Sequence, residues 1–203
     1  MATYKDLQDR IQLDYLNRYD LTGSVKRAIK NTIKCYEGTR WWFNETATTS
    51  VMTANSGSYG VPSDFLVLDR LEVAYSGARF PLKVATLDEV RTMNATTATS
   101  VPTHYVYRGD RFELALVPDS AYSATVYYIQ SLPELSADAD TNVWTNEAAN
   151  LIAHGATVEL LSSVVDADDR KIAHHVRMMR QALDEMYVRN DTRLHGSLQP
   201  TSF

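Results

Sequence analysis

The spacing of apolar positions changes twice along the chain. Tyr4, Leu7, Ile11 and Tyr15 recur at helical intervals, and Thr3 stands three residues before Asp6, the arrangement of a helix cap. After a break over Asn17 to Asp20, Leu21, Val25, Ile29 and Ile33 form one stripe with Ala28, Thr32 and Tyr36 beside it. That predicts a second amphipathic helix of about four turns, stopped by Gly38. From Thr46 the period falls to two. Val67, Leu71, Val73 and Tyr75 alternate with polar residues, as do Tyr105 and Tyr107, Phe112, Leu114 and Leu116, and finally Tyr122, Ala124, Val126 and Tyr128. These are strand patterns.

The punctuation between the strands supports this reading. Ala54 to Gly60 is rich in turn residues, Ser76-Gly77 turns one strand toward Phe80, Leu82 and Val84, and Gly109-Asp110 predicts a two-residue hairpin. Thr86 and Glu89 have capping-box spacing for a short helix to Met93, and Asn94 to Thr103 reads as an exposed loop. Leu132 to Asn142 leads back to helical spacing. Thr145 is a candidate N-cap for a helix carrying Leu151, Ile152, Val158, Leu161 and Val165, and His154-Gly155-Ala156 is a small-residue patch that a second helix could approach closely. Ile172, Val176, Met179, Leu183 and Met186 form a packing seam on the last helix, and from Asn190 the pattern dissolves.

The fold class expected from this order is α+β: a helical bundle of two N-terminal and two C-terminal helices carrying an antiparallel β insert. The expected divisions are a helical first half over 1–43, the β insert over 44–135, a helical second half over 136–189, and a flexible C-terminal tail over 190–203.

Composition narrows the class. With 203 residues, 44% hydrophobic and 22% charged, the chain suits one core or a core with a satellite. No apolar run approaches the roughly 20 residues of a membrane span, and no leader pattern opens the chain. A single cysteine, Cys35, allows no internal disulfide and fits a reducing compartment. The net charge of −5 is uneven: residues 1–45 carry +2, 46–169 carry −10 and 170–203 carry +3. An acidic middle argues against an ordinary nucleic-acid groove.

Candidate chemistry is sparse. Lys26, Arg27, Lys30 and Lys34 form a basic face on the second helix, to be read as a solvated face or as a contact with an acidic neighbour or nucleic acid. Trp41-Trp42-Phe43 cannot all point one way from a regular element, so at least one packs elsewhere, in a core or against another subunit. His174-His175 near Asp166, Asp168 and Asp169, with His154 one helix back, is the one metal-like cluster. Adjacent histidines on a helix diverge by about 100° and suit one ion poorly. Nucleophile elbows, phosphate loops and dinucleotide fingerprints are absent from the sequence. The residues point to no catalytic site, no cofactor and no metal; the rival from another class is a metal-dependent enzyme using the His174/His175/Asp cluster.

Several phrases, taken in order, resemble the head–tail adaptor (head-to-tail connector) proteins of tailed bacteriophages. They are the opening Thr3-Tyr-Lys-Asp-Leu with its two helices, Val61-Pro-Ser-Asp-Phe-Leu-Val-Leu, Pro81-Leu-Lys, and Pro102-Thr-His-Tyr. Leu116-Val-Pro-Asp-Ser-Ala-Tyr, Val126-Tyr-Tyr-Ile-Gln-Ser-Leu-Pro-Glu-Leu-Ser and the closing helices after Thr141-Asn142 complete the match. The resemblance implies a virion structural protein of the neck, assembled in the host cytoplasm as a closed ring of about twelve copies beneath the portal. Its partners would be further copies of itself, the portal protein, and a downstream tail or nozzle protein; the alternative within the same class is that the chain is itself another neck or tail-tube component. DNA would pass through the channel without sequence-specific binding, and no membrane would be involved. Trp41, Trp42, Leu194, Leu198 and Phe203 are the candidate subunit or portal contacts, the last three on the C-terminal segment.

Overall fold

The computed structural model describes residues 1–96, 99–163 and 168–195. Its contacts divide the chain into two compact units, one built from residues 1–44 with the chain from Leu132 onward, the other from Glu45–Ser131.

The first unit opens with α1 (Tyr4–Asp9), which Thr3 and Asp6 start as a reciprocal capping box: the Asp6 N–H donates to the Thr3 hydroxyl at 3.1 Å and the Thr3 N–H to the Asp6 carboxylate at 2.8 Å. Those bonds hold the Asp6 carboxyl below the usual carboxylate range. The helix then widens into a π-helical segment (Arg10–Leu16), closed by Asn17 at φ 51°, a left-handed residue that asparagine tolerates. α2 (Thr22–Glu37) buries the Leu21, Val25 and Ile29 stripe. After the β region, Asn142 caps α4 (Val143–Glu147), with Thr145 as the third helical residue of the capping box and not the cap itself. α5 (Ala149–Ser163) is apolar on nearly every side and lies at the centre of this unit, with Leu151, Ile152, Ala153 and Leu160 buried. α6 (Asp169–His195) packs along α5 and runs on through Asn190, beyond the point where its apolar periodicity ends.

The second unit holds two four-stranded sheets. One has the order β1 (Glu45–Val51), β8 (Ser123–Gln130), β3 (Phe65–Tyr75), β4 (Ala78–Pro81), all antiparallel. The other has the order β2 (Ser58–Gly60), β7 (Arg111–Ala115), β6 (His104–Arg108), β5 (Lys83–Val84). Leu71, Val73, Ala124, Val126 and Tyr128 from the first sheet meet Tyr59, Tyr105, Phe112 and Leu114 from the second in one buried cluster. The predicted hairpin is present: Arg108 pairs with Arg111 and Gly109 takes φ 63°, the first central position of a two-residue turn.

The expected plan, a helical bundle carrying one antiparallel β insert, is corrected by this arrangement. Among the described residues six α-helices and eight strands interleave, in two full sheets. One of those helices, α3 (Leu87–Thr96), belongs to the β unit, and β5 pairs with β6 in parallel. The physical reason is the crossover. A parallel pair cannot be closed by a tight turn, so the chain from 85 to 103 must travel back along the sheet, and α3 is the means.

Three local differences have equally specific causes. Tyr59 belongs to a strand because Phe112 offers it a partner across the ladder, although its neighbours are turn-formers. Val67 is 44% exposed and off the core face because register shifts between Phe65 and Val67, and again between Leu68 and Arg70, reset the alternation. Asn94 is an anchor, not part of a loose loop. Its amide donates to the Leu114 carbonyl (3.0 Å) and accepts from the Leu116 N–H (2.8 Å), where the chain leaves β7 at φ 64°.

Candidate interaction surfaces

The basic face of α2 finds its acidic neighbour inside the same chain. The segment returning from the β unit lies along the first two helices: the Tyr4 N–H donates to the Asp140 carbonyl at 2.7 Å and the Lys5 N–H to the Asp138 carbonyl at 2.9 Å. That places the Asp138 carboxylate 2.9 Å from the Lys26 ammonium and Glu134 2.7 Å from that of Lys30. Each lysine holds its carboxyl below the usual range. Burial, with Asp138 and Glu134 nearby, pushes the Tyr4 phenol up to about 12. These pairs are exposed, so each contributes little to stability. Their effect is to remove half of the basic face from availability. Arg27 and Lys34 remain exposed, with Lys34 near enough to Glu134 to help hold its carboxyl down.

The three consecutive aromatics separate by function. Trp41 is 0% exposed, its indole N–H donating to the Tyr36 carbonyl (3.0 Å) and its ring lying 5.2 Å from that of Tyr187. It presents no surface to a partner, which corrects its candidacy as a contact residue: a bulky ring with one donor fits a core position that supplies a carbonyl. Phe43 bridges Trp41, Trp42 and Trp144. Trp42 is half-buried and holds the end of α6. Its backbone N–H donates to Asn190 Oδ1 (2.8 Å), Asn190 Nδ2 donates to the Arg40 carbonyl (3.1 Å), and Arg189 and Arg193 each lie 4.9 Å from its ring. Arg189 also pairs with Glu147. The i,i+4 spacing of the two arginines was the available sequence signal, but it does not say which aromatic lies beneath them.

The histidines form a packing contact. His154 and His175 face each other with their Nδ1 atoms 2.9 Å apart, and Tyr15 from the π-helical segment stacks on His154 at 5.0 Å. Burial, aided by the neighbouring His175, Arg10 and His174, lowers His154 to about 4, and burial lowers His175 as well. His174 lies edge-on to His175 at 5.2 Å and meets Arg177 (3.3 Å), while the Asp168 carboxylate accepts from the Arg170 and Lys171 N–H groups at the start of α6. Among the described residues no group of three His, Cys, Asp or Glu side chains converges. Asp166 and Val165 lie outside the described residues. Between α4–α5 and α6 runs a polar groove of about 200 Å³ lined by Asn146, Glu147, Asn150, Glu185 and Arg189. No described helix is long and apolar enough to cross a membrane.

Compared with known families, the chain matches the SU10 adaptor protein family over residues 2–201. That is nearly the whole chain, both units included. The chain belongs to the SU10 adaptor protein family. This is a phage head–tail adaptor family. No curated protein matches the chain.

As a family member the adaptor is a structural component of a phage virion that contacts other head and tail proteins. Of the predicted contact residues, only Trp42 is both described and accessible. The side chains of Leu194, Leu198 and Phe203 lie outside the described residues. Sequence reasoning missed Asp138 and Glu134 as partners of the basic face, although the acidic residues around Ala137 and Ala139 were the visible signal. It also missed Asn44, whose buried amide ties the end of the first helical half: Oδ1 accepts from the Trp41 N–H, and Nδ2 donates to the Glu37 and Thr39 carbonyls.

Proposed function

We propose that this adaptor assembles as a closed ring of about twelve copies beneath the portal, extends the DNA channel and offers a platform to the next tail component. The observation that carries the reading is the family match across residues 2–201. The exposed side chains agree with it. Trp42, with Arg189 and Arg193 over its ring, lies against the end of α6, and the sequence that follows Arg193 carries Leu194, Leu198 and Phe203, the candidate anchors on a portal or a neighbouring subunit. Arg27 and Lys34 are the part of the basic face left for an acidic partner surface. The overall negative charge suits a channel through which DNA slides without sticking.

The test is to mix the purified chain with portal particles, measure co-sedimentation, and image the product by negative stain. A ring-shaped density at the portal mouth, lost when residues 196–203 are deleted, is the expected result. A chain that stays monomeric and ignores portal particles overturns the reading.

A further inference from the structure

β1 is an edge strand whose outer side is open. Among the described residues it pairs only with β8, and Ala47 to Val51 are all exposed, Val51 at 66%. The direction of its main-chain groups can be worked out. The Met52 N–H donates to the Tyr122 carbonyl at 2.8 Å, which makes 52 and 122 a pair that exchanges its bonds directly. Such pairs alternate along an antiparallel ladder. Ser50, Thr48 and Thr46 therefore turn their N–H and C=O groups toward β8, and Val51, Thr49 and Ala47 turn theirs outward. The Thr49 and Thr125 hydroxyls, 2.9 Å apart, fit the close side-chain approach of the alternate kind of pair.

Edge strands are ordinarily blunted by lysine, proline, a bulge or short length. The opposite edge of the same sheet follows that rule, since β4 has only four residues and contains Arg79 and Pro81. β1 has none of these guards. It is seven residues of mostly β-branched and small side chains, Glu-Thr-Ala-Thr-Thr-Ser-Val, with its one charge at the start.

We propose that the free edge of β1 is a self-recognition surface, pairing antiparallel with β1 of a second copy about a two-fold axis at Thr49. The outward-facing residues are symmetric about that position. In this register Thr49 faces Thr49, Ala47 of each copy faces Val51 of the other, and Glu45 falls opposite Thr53, so no like charges meet. About six new main-chain hydrogen bonds join the two four-stranded sheets into one continuous sheet. A two-fold contact of this kind closes at two copies. It describes the free protein and does not depend on the ring reading.

Thr49 lends itself to a decisive test. Directly opposed like charges destabilise a strand pair and opposed unlike charges support it. Equilibrium sedimentation of the full chain should show a concentration-dependent species of twice the 22.8 kDa chain mass. Thr49→Lys alone and Thr49→Glu alone should each be monomeric at the same concentrations, and an equal mixture of the two should recover the dimer. Thr49→Pro is the check on folding: its N–H points away from β8, so proline takes no bond from the ladder, and the variant should be monomeric with an unchanged circular dichroism spectrum. A monomeric wild type, a Thr49→Lys variant that still pairs, or a mixture that stays monomeric overturns the proposal. So does a wild type whose β1 edge captures only a strand of another virion protein. Portal co-sedimentation is read separately: Thr49→Lys that binds portal particles with no dimer in solution leaves the ring reading standing, and a wild-type chain that dimerises yet ignores portal particles fails only the ring reading.

Discussion

At Gly155 α5 approaches α2 too closely for a side chain, and a single methyl group there tests the packing of the helical unit. A Cβ built at Gly155 would stand 2.6 Å from Thr32 Cγ2, with Thr32 Oγ1 at 3.5 Å and Met179 Sδ at 3.6 Å. Carbon atoms pack best at about 3.5–4.0 Å, so Gly155→Ala demands a movement of roughly 1 Å. Thr32 cannot readily supply it. Its side chain is buried, and its hydroxyl donates to the Ala28 carbonyl at 2.8 Å. Alanine gains about 1 kcal/mol of helix propensity over glycine, against about 1–3 kcal/mol for overpacking a filled interior. The expected outcome is a net loss of about 1 kcal/mol. Thr32→Ser keeps the hydroxyl bond and deletes the clashing methyl, costing about 1 kcal/mol alone. In the double variant the new Cβ occupies the space the methyl left, so the pair should be more stable than the sum of the singles by about 2 kcal/mol. Urea denaturation followed by tryptophan fluorescence is the assay. Trp41, Trp42 and Trp144 all lie in the helical unit with Gly155, so the signal reports that unit even where the two units unfold separately. A Gly155→Ala variant as stable as the wild type, or a coupling below about 0.5 kcal/mol, refutes the reasoning.

Three further outcomes follow from the structure. Asn44→Ala strips a buried main-chain N–H and two carbonyls of their partner, and the same fluorescence assay should show a loss of about 2–3 kcal/mol. Acid should weaken the helical unit through His154. Its folded value, about 4, lies below the unfolded value of about 6.5, so above that pH the residue is neutral in both states. As pH falls through 6.5 the unfolded chain takes up a proton that the folded chain refuses, costing up to about 1.4 kcal/mol per pH unit until about pH 4. Arg10 and Lys171 are the cations beside the pair, with His174 adjacent, and His154→Gln should flatten this slope in urea titrations at pH 4 to 7. In the β unit, Ser76 holds φ 50° at the β3–β4 turn, a conformation asparagine adopts more readily, so Ser76→Asn should raise the calorimetric midpoint, by up to about 1 kcal/mol of stability.

Much of this architecture was legible along the chain because it rests on near neighbours. The Thr3–Asp6 box, the stripe from Leu21 to Ile29, the Gly109-Asp110 hairpin and the alternation from Ala124 to Tyr128 all express interactions within a few residues. Gly155 was visible too, as a gap in side-chain size. The family membership was carried by short phrases kept in order over nearly the whole length.

What only the tertiary structure decided are the pairings between distant segments. Sequence could list Lys26 and Lys30 as a basic face but could not bring Asp138 and Glu134 to it, because that contact depends on how the chain returns from the β unit. Three adjacent aromatics announced divergence, yet the burial of Trp41 and the half-exposure of Trp42 follow from where Tyr36, Tyr187 and Asn190 come to rest. The bulges that turn Val67 outward, the parallel β5–β6 pair and the open edge of β1 depend on which strand lies beside which. Local spacing reports the period of one segment. The choice of neighbour is made by the whole chain at once, through contacts whose members are far apart in sequence.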